Sequence, residues 1–108
     1  MIDWKRVEEL RTEIGSDGFA EVADMFLEEA EVAVLALTNA TRADEVEAQL
    51  HSLKGSALNL GLTDLAGICQ AGERLAAAGS SIDPTGIATI YQASRARLLA
   101  GIATGSAA

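Results

Sequence analysis

His51 is the only histidine in a chain of 108 residues. A solvent-facing imidazole is a nucleophile near neutral pH, because the ordinary pKa of about 6.5 leaves much of it unprotonated. Helical spacing defines its neighbourhood. His51 lies one step, about 100°, past Leu50 and so turns away from the apolar stripe that Leu50 belongs to. Glu47 precedes it by one turn, and Lys54, Gly55 and Leu58 follow at three, four and seven residues on the same strip. Lys54 is the only Lys or Arg between Ala43 and Glu73. A phosphoryl group on His51 would bring close to two negative charges, and one cation about 4 Å away is worth a few kcal/mol at an intermediate dielectric. Lys54 is therefore expected to serve that charge rather than the core, so that Lys54→Ala would leave the fold intact. Gly55 costs about 1 kcal/mol against Ala inside a helix. That cost is offset if the missing side chain lets another protein approach the imidazole. Each residue also has an ordinary reading: a half-exposed histidine, a solvated lysine, and a glycine that lets two helices pack closely.

The elements that must position these residues are helices. Asp3 is placed to cap a short first helix ending at Gly15, and Ser16 or Asp17 opens a second. The second carries Phe19, Val22, Phe26, Ala30, Ala33 and Leu37 as an apolar stripe and ends near Asn39-Ala40-Thr41. The third, after Thr41, holds Val46, Leu50, Leu53, Ala57 and Leu60, and Gly61 ends it. Thr63 is the expected cap of a fourth helix burying Leu65, Cys69, Gly72 and Ala76, which Gly79 stops. Asp83-Pro84 opens a fifth with Ile87, Tyr91, Ser94, Leu98 and Ile102 inward. Short turns between such helices predict an all-α fold, an antiparallel up-and-down four-helix bundle with a short additional N-terminal helix. The whole of 1–108 reads as one domain, with 105–108 a frayed tail. If the third and fourth helices turn about Gly61-Leu62, antiparallel partners sum to about 123, which sets Gly72 and Glu73 opposite His51. Glu73 is then a candidate to hold the ring in one tautomer, or a simple partner for a cation.

Composition narrows the partners. Sixteen acidic against eight basic residues, a formal charge of −8, argue against nucleic acids and anionic membrane surfaces, both of which need clustered Lys and Arg. One Cys and one His are too few for a metal site or an internal disulfide, and no apolar run is long enough to span a membrane. No metal or cofactor is expected, and the cytoplasm is the expected compartment.

The run His51-Ser52-Leu53-Lys54-Gly55-Ser56-Ala57-Leu58-Asn59-Leu60-Gly61, followed by Leu65 and Cys69, resembles the signature of the histidine-containing phosphotransfer (HPt) family of two-component signalling. A bare His-x-x-Lys-Gly would be weak, but here His51, Leu53, Lys54, Gly55, Ser56, Gly61, Leu65 and Cys69 all fit. The likeness extends to the acidic second helix with its Phe26-Leu27-Glu28-Glu29-Ala30 segment. Gly72 departs from it, standing where the family often has a larger apolar residue. The resemblance implies a phosphocarrier without a kinase domain. His51 would exchange a phosphoryl group with an aspartate of a response-regulator receiver domain or a hybrid sensor histidine kinase, with Mg²⁺ supplied by the receiver. It also implies docking over the His-bearing face through Leu58, Phe19 and Val22, the last two of which are equally core candidates. The chief alternative is a helical adaptor or inhibitor that binds receivers or kinases without carrying phosphate. A piece of a larger kinase is a further one, against which the start at Met1 favours a free-standing protein.

Overall fold

The computed structural model describes residues 2–104, and the expected fraying of 105–108 lies outside them. Five helices follow one another: α1 (Trp4–Ile14), α2 (Ser16–Asn39), α3 (Ala43–Leu60), α4 (Thr63–Ala77) and α5 (Pro84–Thr104). The sequence explains each boundary. Asp3 accepts the Arg6 N–H at 3.2 Å to cap α1, and Gly15 at φ +90° breaks the chain between α1 and α2. Gly61 takes a left-handed conformation and ends α3, with the Leu62 N–H returning to the Ala57 carbonyl at 2.8 Å. Asp83 accepts the Thr85 N–H at 3.1 Å as Pro84 starts α5.

One cap differs from expectation. Thr63 is the first residue of α4, and Leu62 holds the cap position without a side-chain bond. The reversal at Gly61 is so tight that only one residue separates it from the new helix. That residue is used as a core anchor, with Leu62 buried.

α2 to α5 form a closed ring in which chain neighbours are also spatial neighbours and α5 returns to α2, while α1 packs across α2 and α3. The result is an elongated bundle of 42 × 20 × 18 Å. Its core joins Leu27, Ala30, Leu37, Leu50, Leu53, Leu60, Leu65, Cys69, Ile87, Tyr91 and Leu98. In α2 the centre of the buried face runs through Ala23 and Leu27, which leaves Val22 and Phe26 half-buried at its edge. A helix touched by α1, α3 and α5 buries a wider arc than a single stripe, so the expected stripe caught only part of it. Val46 and Ile102 are likewise half-buried. The Tyr91 hydroxyl finds its partner inside the core, donating to the Leu27 carbonyl at 3.1 Å.

The start of the chain is fastened to the α3–α4 turn. Ile2 pairs with Leu62 in an isolated antiparallel bridge, the Asp3 N–H donates to the Gly61 carbonyl at 2.7 Å, and Arg6 Nε donates to the Asn59 carbonyl at 3.2 Å. The Trp4 ring fills the space left by Gly101 on α5. Among the described residues, no helix is long and apolar enough to cross a membrane.

Candidate functional site

His51 projects from the middle of α3 with its side chain 74% exposed. Leu50 and Leu53, on either side, are fully buried, so the helix is rotationally fixed with the imidazole outward. Across the groove α4 supplies Glu73. Its approach depends on Gly72, where a Cβ would stand 3.0 Å from Leu50 Cδ1. The small residue lets α4 settle against Leu50, which resolves how the site packs without the larger residue expected there.

Glu73 bridges the two polar residues of α3. Its Oε2 lies 3.4 Å from His51 Nδ1, a long contact, and its Oε1 lies 2.9 Å from Lys54 Nζ. Oε1 is itself buried, and the lysine approaches it as an ion pair without the angle of a directed hydrogen bond. Burial pushes the Glu73 carboxyl up, but the contacts and charges of Lys54 and His51 outweigh it and hold the group below the ordinary carboxylate value. Lys54 and Glu73 are only 22% and 19% exposed. Lys54 is thus neither a solvated surface lysine nor idle before an anion arrives: it already neutralises a largely buried carboxylate. The expectation that it serves only a transient charge is corrected accordingly. One turn before Glu73, Cys69 is fully buried. Burial, with Glu73 adding and Lys54 opposing, pushes its thiol up to about 12.

A Cβ on Gly55 would meet nothing within 4 Å, which sets aside the helix-packing reading. Gly55→Ala is therefore expected to raise stability by up to about 1 kcal/mol. Gly55→Gln should fold as well yet lose transfer from a partner protein, since its side chain would fill the open strip beside the ring. Thermal melts paired with transfer rates check this, and a lowered melting temperature with transfer intact would make Gly55 a structural residue.

The expected docking residues fall in three different settings. Leu58 is 55% exposed, one turn beyond Gly55. Val22 is half-buried. Phe19 is core at 4% exposure, its ring covered by the Arg11 guanidinium 4.9 Å from the centroid, so it offers no docking surface. The exposed apolar residues of α2 are instead Met25, Val32 and Leu35. They were readable as apolar side chains off the core stripe among acidic residues, at steps of seven and three.

Among the described residues, no group of three or more His, Cys, Asp or Glu side chains is placed to hold a metal ion. The arrangement provides an accessible imidazole with one ring nitrogen held by a carboxylate, a cation two bonds of contact away, and an open approach over Gly55. Compared with known proteins, the Hpt domain family model matches residues 21–102, from α2 into α5, with α1 outside the match. No curated protein and no solved structure gives a significant match. With more than half of its length matched by that family model, the chain belongs to the Hpt domain family, the phosphotransfer modules of two-component signalling.

Proposed function

We propose that this chain is a cytoplasmic phosphocarrier that accepts a phosphoryl group on His51 from a receiver aspartyl phosphate or a sensor kinase, and delivers it to another receiver aspartate. The observation that carries this reading is the exposed imidazole whose Nδ1 faces Glu73. A ring that donates from Nδ1 to a carboxylate keeps its lone pair on Nε2, so Nε2 is the nucleophile. In the transfer the Nε2 lone pair forms a bond to phosphorus as the bond from phosphorus to the aspartate oxygen breaks, and the carboxylate departs with that electron pair. Transfer onward is the reverse with a different aspartate. The Nδ1 proton stays with the ring, held toward Glu73, and stabilises the cationic phosphoimidazole. Lys54 offsets charge on both sides of the exchange. The chain positions these groups, and the receiver brings its aspartate and Mg²⁺.

Purified receivers from the source organism, pre-phosphorylated with labelled phosphate, test the reading. Label is expected to move quickly to this protein as an acid-labile, base-stable modification and to be absent from His51→Gln. Undiminished labelling of His51→Gln, or no transfer from any receiver or kinase, would sink it.

A further inference from the structure

Gly55 is a weak point in α3. A glycine in a helix interior has no side chain to limit its backbone, and it loosens its turn by a factor of about five relative to Ala. That turn borders the reactive residue, because in an α-helix the Gly55 N–H closes on the carbonyl four residues back, that of His51. The ring is sensitive to any swing of α3, since its Nδ1 meets Glu73 of α4 only at 3.4 Å.

The glycine turn is held from outside its own helix. Asn59 Nδ2 donates to the Gly55 carbonyl at 2.9 Å, a second donor beside the Asn59 backbone N–H that helical geometry directs there. Left to itself, an Asn side chain inside a helix competes with the backbone for such a carbonyl and weakens the turn. Asn39, which makes the same contact to Leu35 at 3.1 Å, stands at the very end of α2. At Asn59 the competition is settled by α1. Arg6 reaches across with Nε 3.2 Å from the Asn59 main-chain carbonyl and Nη2 3.5 Å from its Oδ1. With the amide oxygen turned to the guanidinium, the NH2 group is left facing the Gly55 carbonyl. Arg6 is itself fixed. Its side chain is only 26% exposed, its Nη1 lies 3.7 Å from Glu13, and the start of α1 is tied to the end of α3 by the Asp3 N–H donating to the Gly61 carbonyl at 2.7 Å. α1 precedes residues 21–102, so this support comes from outside the segment that the family model matches.

We propose that Arg6 is a positioning residue of the transfer site: through Asn59 it steadies the Gly55 turn and so holds the His51 ring with Nδ1 toward Glu73. Gly55 then keeps the approach to the imidazole open without leaving the imidazole loose. The inference rests on the phosphocarrier reading and assigns a role in it to a helix that the chemistry does not touch.

The test compares the wild type with Arg6→Ala, Arg6→Ala/Gly55→Ala, and Val7→Ala, which trims the buried face of α1 and keeps Arg6. Two readouts need no partner protein. Amide exchange at Asn59, taken relative to Cys69 on α4, follows the opening of the glycine turn. Ring nitrogen-15 shifts give the fraction of neutral His51 that carries its proton on Nδ1. Arg6→Ala is expected to raise the exchange ratio about fivefold and to lower the Nδ1–H fraction. Labelling of His51 by phosphoramidate, a small donor that gives its phosphoryl group to imidazole with loss of ammonia, should slow in proportion to that fraction, because only this tautomer leaves the Nε2 lone pair free. Adding Gly55→Ala to Arg6→Ala should return both readouts close to wild type, since the alanine supplies the stiffness that the guanidinium gave. Val7→Ala should lower the melting temperature and leave both readouts near wild type. If Val7→Ala moves them as far as Arg6→Ala does, Arg6 merely anchors α1 and the proposal is overturned. An Nδ1–H fraction unchanged by Arg6→Ala, or not restored by Gly55→Ala, overturns it too. Should both readouts behave as expected while no phosphorylated receiver or kinase labels His51, the phosphocarrier reading fails and the hold of Arg6 on the ring stands.

Discussion

Lys54→Met is expected to lower the melting temperature by roughly 5–15 °C, the equivalent of about 1–3 kcal/mol in a domain of this size. The loss comes from Glu73 rather than from the lysine. Without the ammonium 2.9 Å away, Oε1 stays buried and unpaired, and only the long contact to His51 remains. Residual exposure keeps the cost below that of breaking a fully buried pair. Lys54→Met/Glu73→Leu should recover most of the stability, because no charge is then left stranded, and the double-mutant cycle gives the coupling directly. The effect must also depend on pH. Glu73 has a folded-state value below its unfolded one, so its contribution is complete above the ordinary carboxylate range and is lost as pH falls through the lowered value. The gap between wild type and Lys54→Met should therefore be widest near neutrality and close on acidification. A gap that stays constant through the protonation of Glu73 in both proteins would show that lost packing of the lysine stem, and not charge, destabilises the variant.

Gly61→Ala should be strongly damaging for a single added methyl, costing about 2–4 kcal/mol and roughly 10–20 °C. Two penalties combine there. A left-handed backbone at φ +73° costs a side-chain-bearing residue about 1–2 kcal/mol. The new Cβ would also stand 2.6 Å from the Asp3 carbonyl oxygen. That oxygen is backbone and accepts the Val7 N–H at 3.2 Å, so it moves only if the start of α1 moves too. Gly79 provides the comparison, with φ +77° and nothing within 4 Å of an added Cβ. Gly79→Ala should cost the backbone penalty alone. Equal melting temperatures for the two variants would show that the Asp3 contact contributes nothing.

Most of the architecture was legible because its boundaries are set by local chemistry. Gly15, Gly61 and Gly79 all have positive φ, Asp3 and Asp83 accept from the first turns that follow them, and Pro84 begins α5. Antiparallel counting around Gly61-Leu62 also placed Glu73 across from His51, since register in a helical hairpin follows from turn length. Rotation about a helix axis is harder to read. The approach of α4 depends on Gly72 meeting Leu50, and the Lys54–Glu73 pair follows from that contact rather than from spacing along either helix. Phe19 supported two readings. The apolar stripe put it in the core while the family resemblance offered it as a docking residue, and the structure sides with the stripe: Phe19 is buried, with Arg11 of α1 over its ring. α1 also lies outside the segment matched by the family model, so no motif announced it as a cover.

The lone thiol gives the protein an internal clock for its own opening. Cys69 is fully buried on α4, one turn before Glu73, and with its thiol pushed up to about 12 almost none of it is thiolate at neutral pH. A thiol reagent therefore reacts only with molecules in which the core around Cys69 has transiently opened. When reclosing outruns alkylation, the observed rate is the opening equilibrium multiplied by the rate for a free cysteine, so a simple alkylation time course measures that equilibrium. Alkylation thus counts, without a spectroscopic label and with a single reactive atom, how often the core one turn from Glu73 comes apart.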